Sequence, residues 1–244
     1  MKILSPWYKR ISFFSLVLAA LMLAAPLRAD DSAVLLTSPS QSTNVGDAII
    51  AATSYHDSGQ YDRDLAIVAS AATQWISQRA PVVARAAVVF DIDETALANW
   101  EVIKRDNFGR PIAGPCDLAL DGPCGWAAWD QLAADTAITP TLDVFRQAKT
   151  LKVTVFFITG RPENQRAATE KNLKETGYEG YEHLYMVPDD AKFGSATDFK
   201  APVRAAIEKA GYTIIANIGD QPSDLFGGHA EKMFLLPNPF YRVR

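Results

Sequence analysis

The 244-residue sequence contains only two cysteines and three histidines, and its acidic side chains outnumber its basic ones. Two thiols without a neighbouring histidine make a poor zinc site. The formal net charge is −4, which argues against a protein that binds a nucleic-acid backbone, because such a protein needs clustered lysine and arginine. The sequence also lacks internal repeats and low-complexity tracts.

The first 29 residues have the pattern of an export signal. Basic residues precede an uncharged run over residues 11–25, and Ala29 offers a small residue for cleavage. The alternative is a retained membrane anchor, but this run is shorter than the roughly 20 residues of a spanning helix. We therefore expect a signal peptide over residues 1–29, a secreted or periplasmic protein and no stable membrane anchor. Cleavage would remove four of the 24 basic side chains and no acidic ones, so the formal charge becomes −8.

Both cysteines lie in the short segment PCDLALDGPCGW, as Cys116 and Cys124. Export would place them in an oxidising compartment, where a close pair usually forms a disulfide. Metal binding is the competing interpretation. We predict the disulfide.

Apolar runs alternate with helical segments along most of the chain. Residues 30–44 are rich in serine and threonine and predict a flexible leader, so the folded domain is expected over residues 45–244. Continuous apolar runs predict five buried strands, at 86–93, 153–159, 183–187, 213–219 and 232–236. Helices are predicted over 61–80, from Thr139, from Arg161-Pro162 to Gly177, and from near Pro202 to Gly211. This alternation predicts an α/β fold, a parallel sheet with helices on both faces.

Residues 96–138 interrupt the alternation after the first strand. A segment of this length within a compact domain is usually a functional insertion, and it leaves the sheet at the edge where ligands bind in α/β folds. We predict a small cap over the active site. Its three tryptophans, Trp100, Trp126 and Trp129, are expected either to form an aromatic wall for aryl or nucleoside groups or to form the core of the cap itself.

Four short motifs follow successive predicted strands. DIDET places Asp91 and Asp93 after the first strand, and FFITGR places a hydroxyl and a glycine, Thr159 and Gly160, after the second. The other motifs contribute these residues: Lys200 in TDFKAPVR, and Asp220 and Asp224 in NIGDQPSDL. Each motif alone is weak, since aspartate after a strand is often only a turn former. Their conjunction at one edge of a sheet is specific.

The chemistry that needs this combination is phosphoryl transfer, which requires a nucleophile, a proton donor and positive charge around the phosphate. Asp91 and Asp220 are suited to hold a hard divalent ion, with Asp224 steadying it from further out. Thr159 and Lys200 would hold the phosphate, and the glycine at 160 allows the backbone to approach an anion. Asp93 is suited to acid–base catalysis.

These motifs resemble those of haloacid dehalogenase (HAD) superfamily phosphatases. The segments FDIDETALAN, TGRPENQRAATEKNLKETGY, GYTIIANIGDQPSDL and FLLPNPFY are similar to the secreted acid phosphatase branch that includes plant vegetative storage proteins. The resemblance implies a HAD-like fold and hydrolysis of phosphomonoesters through a phosphoaspartyl intermediate on Asp91. It further implies Mg²⁺ bound by Asp91, Asp220 and the backbone carbonyl of Asp93.

Other classes of phosphatase are not supported. None of the three histidines lies in an RHG motif, and neither cysteine begins a Cys-x₅-Arg loop. Two alternatives stay open: a phosphotransferase that uses the same intermediate, and a non-catalytic storage or binding protein of the same fold. Expected substrates are small phosphomonoesters such as nucleotides or aryl phosphates, and the sequence does not indicate an oligomeric state.

Overall fold

The computed structural model describes residues 42–243. The predicted signal peptide over residues 1–29 and most of the predicted leader over 30–44 lie outside the described residues. The last residues of that leader have no regular structure, and the Asn44 side chain accepts a hydrogen bond from the Gly46 backbone N–H (2.8 Å) at the start of the first helix. Within the described part, no helix is long and apolar enough to cross a membrane.

The described chain forms eight α-helices and seven β-strands. The helices are α1 (Val45–Asp57), α2 (Gln60–Arg79), α3 (Trp100–Arg105), α4 (Trp126–Leu132), α5 (Thr139–Thr150), α6 (Arg166–Glu175), α7 (Ala196–Lys209) and α8 (Pro222–Leu225). The strands are β1 (Ala86–Phe90), β2 (Leu97–Ala98), β3 (Thr136–Ala137), β4 (Thr154–Pro162), β5 (His183–Val187), β6 (Thr213–Gly219) and β7 (Met233–Leu235).

Five strands form one parallel sheet in the order β5-β4-β1-β6-β7. Alternate side chains of β1 point to opposite faces. Val88 and Phe90 pack in the core that includes α2 and α5, whereas Ala87 and Val89 pack in a second core with Ile207 of α7. Helices therefore cover both faces, and the predicted α/β architecture is confirmed.

Two helix starts differ from the sequence prediction. α7 begins at Ala196 and not near Pro202, because the Ser195 backbone N–H donates to the Asp198 carboxylate (2.8 Å) and starts the helix more than a turn earlier. Pro202 thus lies inside the helix. The chain at Arg161-Pro162 is still extended as part of β4, and α6 begins only at Arg166 after a short 3₁₀ turn.

Residues 96–138 contain α3, α4 and a two-stranded antiparallel ribbon of β2 and β3. The predicted disulfide between Cys116 and Cys124 is present, with Cα atoms 4.2 Å apart. The Cys124 backbone N–H also donates to the Asp106 carboxylate (2.7 Å). The loop between α3 and α4 is thereby closed by a covalent bond and held by a buried carboxylate.

Candidate active site

The topology of the sheet brings the predicted site residues to one edge. From β1 the chain continues to β4 and β5 on one side and then returns to β6 and β7 on the other. Ligands of open α/β sheets bind at such a reversal, beyond the carboxyl ends of the strands. Asp91 directly follows β1 and Asp220 directly follows β6, so both carboxylates lie at this crevice.

Lys200 of α7 joins two of the aspartates. Its ammonium Nζ lies 2.5 Å from Asp91 Oδ1 and 2.7 Å from Asp224 Oδ1, and all three side chains are buried. Burial alone would lower the pKa of Lys200, but the charges of Asp224 and Asp91 outweigh it and raise the pKa. Burial raises the pKa of Asp91 well above its usual range, although the charge of Lys200 opposes that rise.

Asp220 completes the cluster from the end of β6. Its carboxylate accepts hydrogen bonds from Gln221 Nε2 (2.6 Å), Asn238 Nδ2 (2.7 Å) and Thr95 Oγ1 (3.2 Å). Burial and then the charge of Asp224 raise the pKa of Asp220 to about 7. The carboxylate is fixed by neutral donors, which orient it without neutralising its charge.

The cluster has the composition of a site for a hard cation. Oxygen atoms of Asp91, Asp220 and Asp224 all lie within 4.8 Å of one another. Three buried carboxylates share a single ammonium, that of Lys200, so the group has an excess of negative charge. Burial of unpaired charge in the low-dielectric interior of a protein costs free energy. All the atoms that could bind a cation are carboxylate oxygens, the ligands that Mg²⁺ prefers. The residues present therefore fit a divalent hard ion.

The glycine before Asp220 is required by this packing. A Cβ atom built on Gly219 would lie 2.6 Å from both Cβ and Oδ2 of Asp224. No side chain fits that space without displacing the Asp224 carboxylate. The glycine of the NIGDQPSDL motif thus permits the close approach of β6 and α8.

Asp93 pairs with an arginine instead of Lys200. Arg161 Nη2 donates to Asp93 Oδ1 at 2.6 Å, Arg161 Nε donates to the same oxygen at 3.1 Å, and Asn99 Nδ2 donates to it at 3.0 Å. Burial would raise the pKa of Asp93, but the charge and hydrogen bonds of Arg161 prevail and lower it. The structure therefore gives the two aspartates of DIDET different partners, Lys200 for Asp91 and Arg161 for Asp93.

Arg161 also binds two carboxylates from the 96–138 insertion. Its Nη2 lies 3.0 Å from Asp135 Oδ2 and 3.4 Å from Asp130 Oδ1. Burial raises the pKa of Asp130 to about 7 in spite of the arginine charge, and burial likewise raises the pKa of Asp135. Arg161 thus connects the insertion to Asp93, a connection that the sequence does not reveal because it depends on the path of a segment without periodic pattern.

The predicted phosphate-binding residues of the second motif differ in their placement. Gly160 lines the cavity at the crevice. Thr159 is fully buried, its hydroxyl accepts a hydrogen bond from the Arg161 backbone N–H (3.1 Å), and it is absent from the cavity lining. The role of Thr159 in phosphate binding stays a prediction.

The cavity at the crevice has a volume of about 430 Å³, within the range of small-molecule sites. Charged and aromatic side chains both line it; the predicted site residues among them are Asp91, Asp93, Gly160, Lys200, Asp220 and Asp224. The insertion contributes Arg110 and Trp126, and the C-terminal segment contributes Tyr241. A larger cavity of about 830 Å³, between α2, β3 and α5, is lined by Trp100 and Trp129 but by none of the predicted catalytic, phosphate-binding or metal-binding residues.

The three tryptophans of the insertion have different surroundings. Trp126 lines the cavity. Trp129 is buried, and its indole N–H donates to Asp135 (2.6 Å) and Asn99 (3.2 Å). The Trp100 ring stacks on His56 at 3.7 Å between centroids, away from the crevice. Only Trp126 is therefore placed to meet a substrate at this crevice.

The family comparison agrees with this geometry. Residues 38–244 match the family described as HAD superfamily, subfamily IIIB (acid phosphatase). Stem 28 kDa glycoprotein of Glycine max is 32% identical over 159 residues, which cover 64% of this chain and 59% of that protein. Acid phosphatase 1 of Solanum lycopersicum is 31% identical over 64% of this chain and 58% of its own length. Vegetative storage protein 1 of Arabidopsis thaliana is 28% identical over 64% of this chain and 54% of its own length.

The alignments thus span less than two thirds of these curated relatives. Among solved structures, the class C acid phosphatase from Bacillus anthracis superposes with a TM-score of 0.62 at 20% identity, covering 80% of this chain and 85% of that one. A similarity at this level of identity supports the fold.

Proposed function

Because the chain belongs to subfamily IIIB of the HAD superfamily, the acid phosphatases, we propose that it hydrolyses small phosphate monoesters. The proposed reaction passes through a phosphoaspartyl intermediate on Asp91. The observation that carries it is the buried group at the sheet edge, in which Asp91 and Lys200 are paired beside Asp220 and Asp224.

In the first step an Asp91 carboxylate oxygen attacks phosphorus, and the bond from phosphorus to the ester oxygen breaks. That oxygen takes a proton from Asp93, which Arg161 and Asn99 hold at the crevice. Arg161 lowers the pKa of Asp93 in the free protein, and the negative charge of the bound phosphate is proposed to raise it so that Asp93 carries this proton. In the second step water attacks the phosphoaspartate, Asp93 takes the proton from water, and inorganic phosphate leaves with the Asp91 carboxylate restored. Lys200, Thr159 and the backbone at Gly160 are the groups proposed to hold the phosphate oxygens.

The resident ion proposed is Mg²⁺. Asp91, Asp220 and the Asp93 backbone carbonyl would hold it, with Asp224 steadying it, and when bound it would supply positive charge against the repulsion between carboxylate and phosphate. The excess of buried negative charge supports this assignment. Secretion or export to the periplasm is proposed from the N-terminal pattern alone.

Metal removal tests the proposal. EDTA should abolish release of phosphate from p-nitrophenyl phosphate, and Mg²⁺ should restore it. Asp220→Asn should need a far higher Mg²⁺ concentration for half-maximal activity, because it removes one of the charges that attract the ion. The matched control is Asp143→Asn on α5, whose exposed carboxylate pairs with Arg146. Full activity of the wild type in EDTA would contradict the mechanism.

A non-catalytic storage protein is the second candidate, favoured by the similarity to the Arabidopsis vegetative storage protein. The carboxylate at position 91 and its lysine partner argue for the enzyme. A folded, Mg²⁺-loaded protein that releases no phosphate from nucleotides, sugar phosphates or aryl phosphates would favour storage. Transfer of phosphate to an added alcohol would instead identify a phosphotransferase.

A further inference from the structure

Arg110 stands out among the cavity-lining residues by its surroundings. It belongs to the 96–138 insertion, and its guanidinium packs against two aromatic rings that contact each other edge to face. The Cζ atom is 4.7 Å from the centre of the Trp126 ring and 4.9 Å from the centre of the Tyr241 ring. Contact with two rings restricts the orientation of the arginine, and its terminal Nη groups stay available for hydrogen bonds.

The cations that line the cavity differ in how their charge is balanced. Lys200 is paired with Asp91 and Asp224, and Arg161 is paired with Asp93, Asp130 and Asp135, as described above. Arg110, by contrast, forms no ion pair within 4.0 Å among residues 42–243, and its charge acts only from further away on the carboxyls of Asp93 and Asp130, where it opposes the rise in pKa that burial causes. Its Nε atom is buried and has no hydrogen-bond partner in that range.

A buried donor without a partner costs free energy, and native structures usually provide one. Contact with the two rings leaves the buried Nε–H unsatisfied, and Arg110 forms no side-chain hydrogen bond among residues 42–243. The partner that best suits an arginine fork is an anion with two oxygens, a carboxylate or a phosphate, which it can bind through parallel hydrogen bonds. Because Arg110 lines the same cavity as Asp91 and Lys200, such an anion would belong to the ligand of that cavity.

We propose that Arg110 binds a second anionic group of the substrate, a carboxylate or a non-transferred phosphate on the leaving-group side. The preferred substrates are then small phosphate monoesters that carry a second negative charge. Trp126 and Tyr241 act as positioning residues that hold the guanidinium plane. This assignment rests on the proposed phosphomonoesterase activity and adds the substrate class to it.

A matched pair of substrates tests the assignment. 3-Phosphoglycerate and glycerol 3-phosphate share a three-carbon skeleton and differ in whether the far carbon is a carboxylate. The wild type should show the higher kcat/KM for 3-phosphoglycerate. Arg110→Gln should reduce the ratio of the two kcat/KM values by at least about tenfold, the effect expected for a charged hydrogen bond. Arg110→Lys should retain part of the preference, since it keeps the charge but loses the fork.

The control is Lys104→Gln, which removes one positive charge from the same insertion at an exposed residue that pairs with Glu101. It should leave the ratio unchanged. An equal loss on both substrates in Arg110→Gln would mean that Arg110 contacts the transferred phosphate, and it would overturn the proposal. So would a wild type without preference for 3-phosphoglycerate, a result that does not depend on the variant folding. Absence of hydrolysis of any ester would refute the proposed phosphatase activity. In that case, isothermal titration of 3-phosphoglycerate and of glycerol 3-phosphate into Asp91→Asn would still measure which of the two binds more tightly.

Discussion

Replacing Arg161 with methionine removes the only cation paired with three carboxylates in the described part of the chain. The guanidinium is almost fully buried and lies 2.6 Å from Asp93, 3.0 Å from Asp135 and 3.4 Å from Asp130. Removing one partner of a buried ion pair typically costs about 3–5 kcal/mol, because the other charge stays buried and unpaired. We expect a loss in the free energy of unfolding of this size at neutral pH.

The loss should depend on pH in a specific direction. In the wild type the pKa of Asp93 is lowered by folding. The ionised Asp93 carboxylate therefore stabilises the fold above the usual pKa of aspartate, and this stabilisation is lost as the pH falls through the lowered pKa. Without Arg161, burial raises the pKa of Asp93, and the raised values of Asp130 and Asp135 rise further. Carboxyls with a raised pKa in the folded state stabilise at low pH, and this contribution is lost as the pH rises through that pKa. The deficit of the variant should therefore be larger at pH 8 than at pH 5.

Urea unfolding of the wild type and Arg161→Met at both pH values measures this deficit. The matched control is Arg166→Met, which removes an arginine whose partners Glu163 and Glu170 are partly exposed, and which should cost about 1 kcal/mol or less. A deficit below 1 kcal/mol for Arg161→Met, or one that is equal at pH 5 and pH 8, would refute the reasoning.

Three further predictions follow from the same geometry. Replacing Cys116 and Cys124 with serine should lower the free energy of unfolding by about 2.5 kcal/mol, as expected for a short closed loop, and unchanged stability in denaturant titrations would contradict this. Trp126→Leu should change the ratio of kcat/KM for aryl and sugar phosphates, whereas Trp129→Leu should reduce activity on both equally through lost packing. Asp93→Asn should lose about 10²–10⁴-fold in turnover of alkyl phosphates, yet give a rapid burst of nitrophenol from p-nitrophenyl phosphate, whose leaving group needs no proton; stopped-flow absorbance detects the burst.

The strands were predictable because buried parallel strands are continuous apolar runs. The segments at 183–187 and 213–219 match β5 and β6 to the residue. α1 escapes prediction because it buries a single side chain, that of Ala52, and leaves Ile50 exposed, so it has almost no apolar stripe. The predicted start of α7 near Pro202 was wrong because proline is typical of the first turn of a helix, whereas Pro202 lies inside α7.

Topology explains which parts of the site were predictable. Residues that directly follow strands of a parallel sheet meet at one edge whatever the loops do, and this brings Asp91 and Asp220 together. The partners of Arg161 and the position of Arg110 depend instead on the path of the insertion between α3 and α4. That path is fixed by a disulfide and by buried hydrogen bonds, and neither leaves a periodic pattern in the sequence.

The central claim is that Asp91 carries the phosphoryl group. Asp93→Asn should accumulate this intermediate, so the variant is mixed with Mg²⁺ and p-nitrophenyl phosphate, quenched in acid within the burst and digested for peptide mass spectrometry. The account predicts one added phosphoryl group on the peptide that contains Asp91, and its absence when Asp91→Asn is combined with the first substitution. Phosphate on another residue, or a burst that persists without the Asp91 carboxylate, would contradict it.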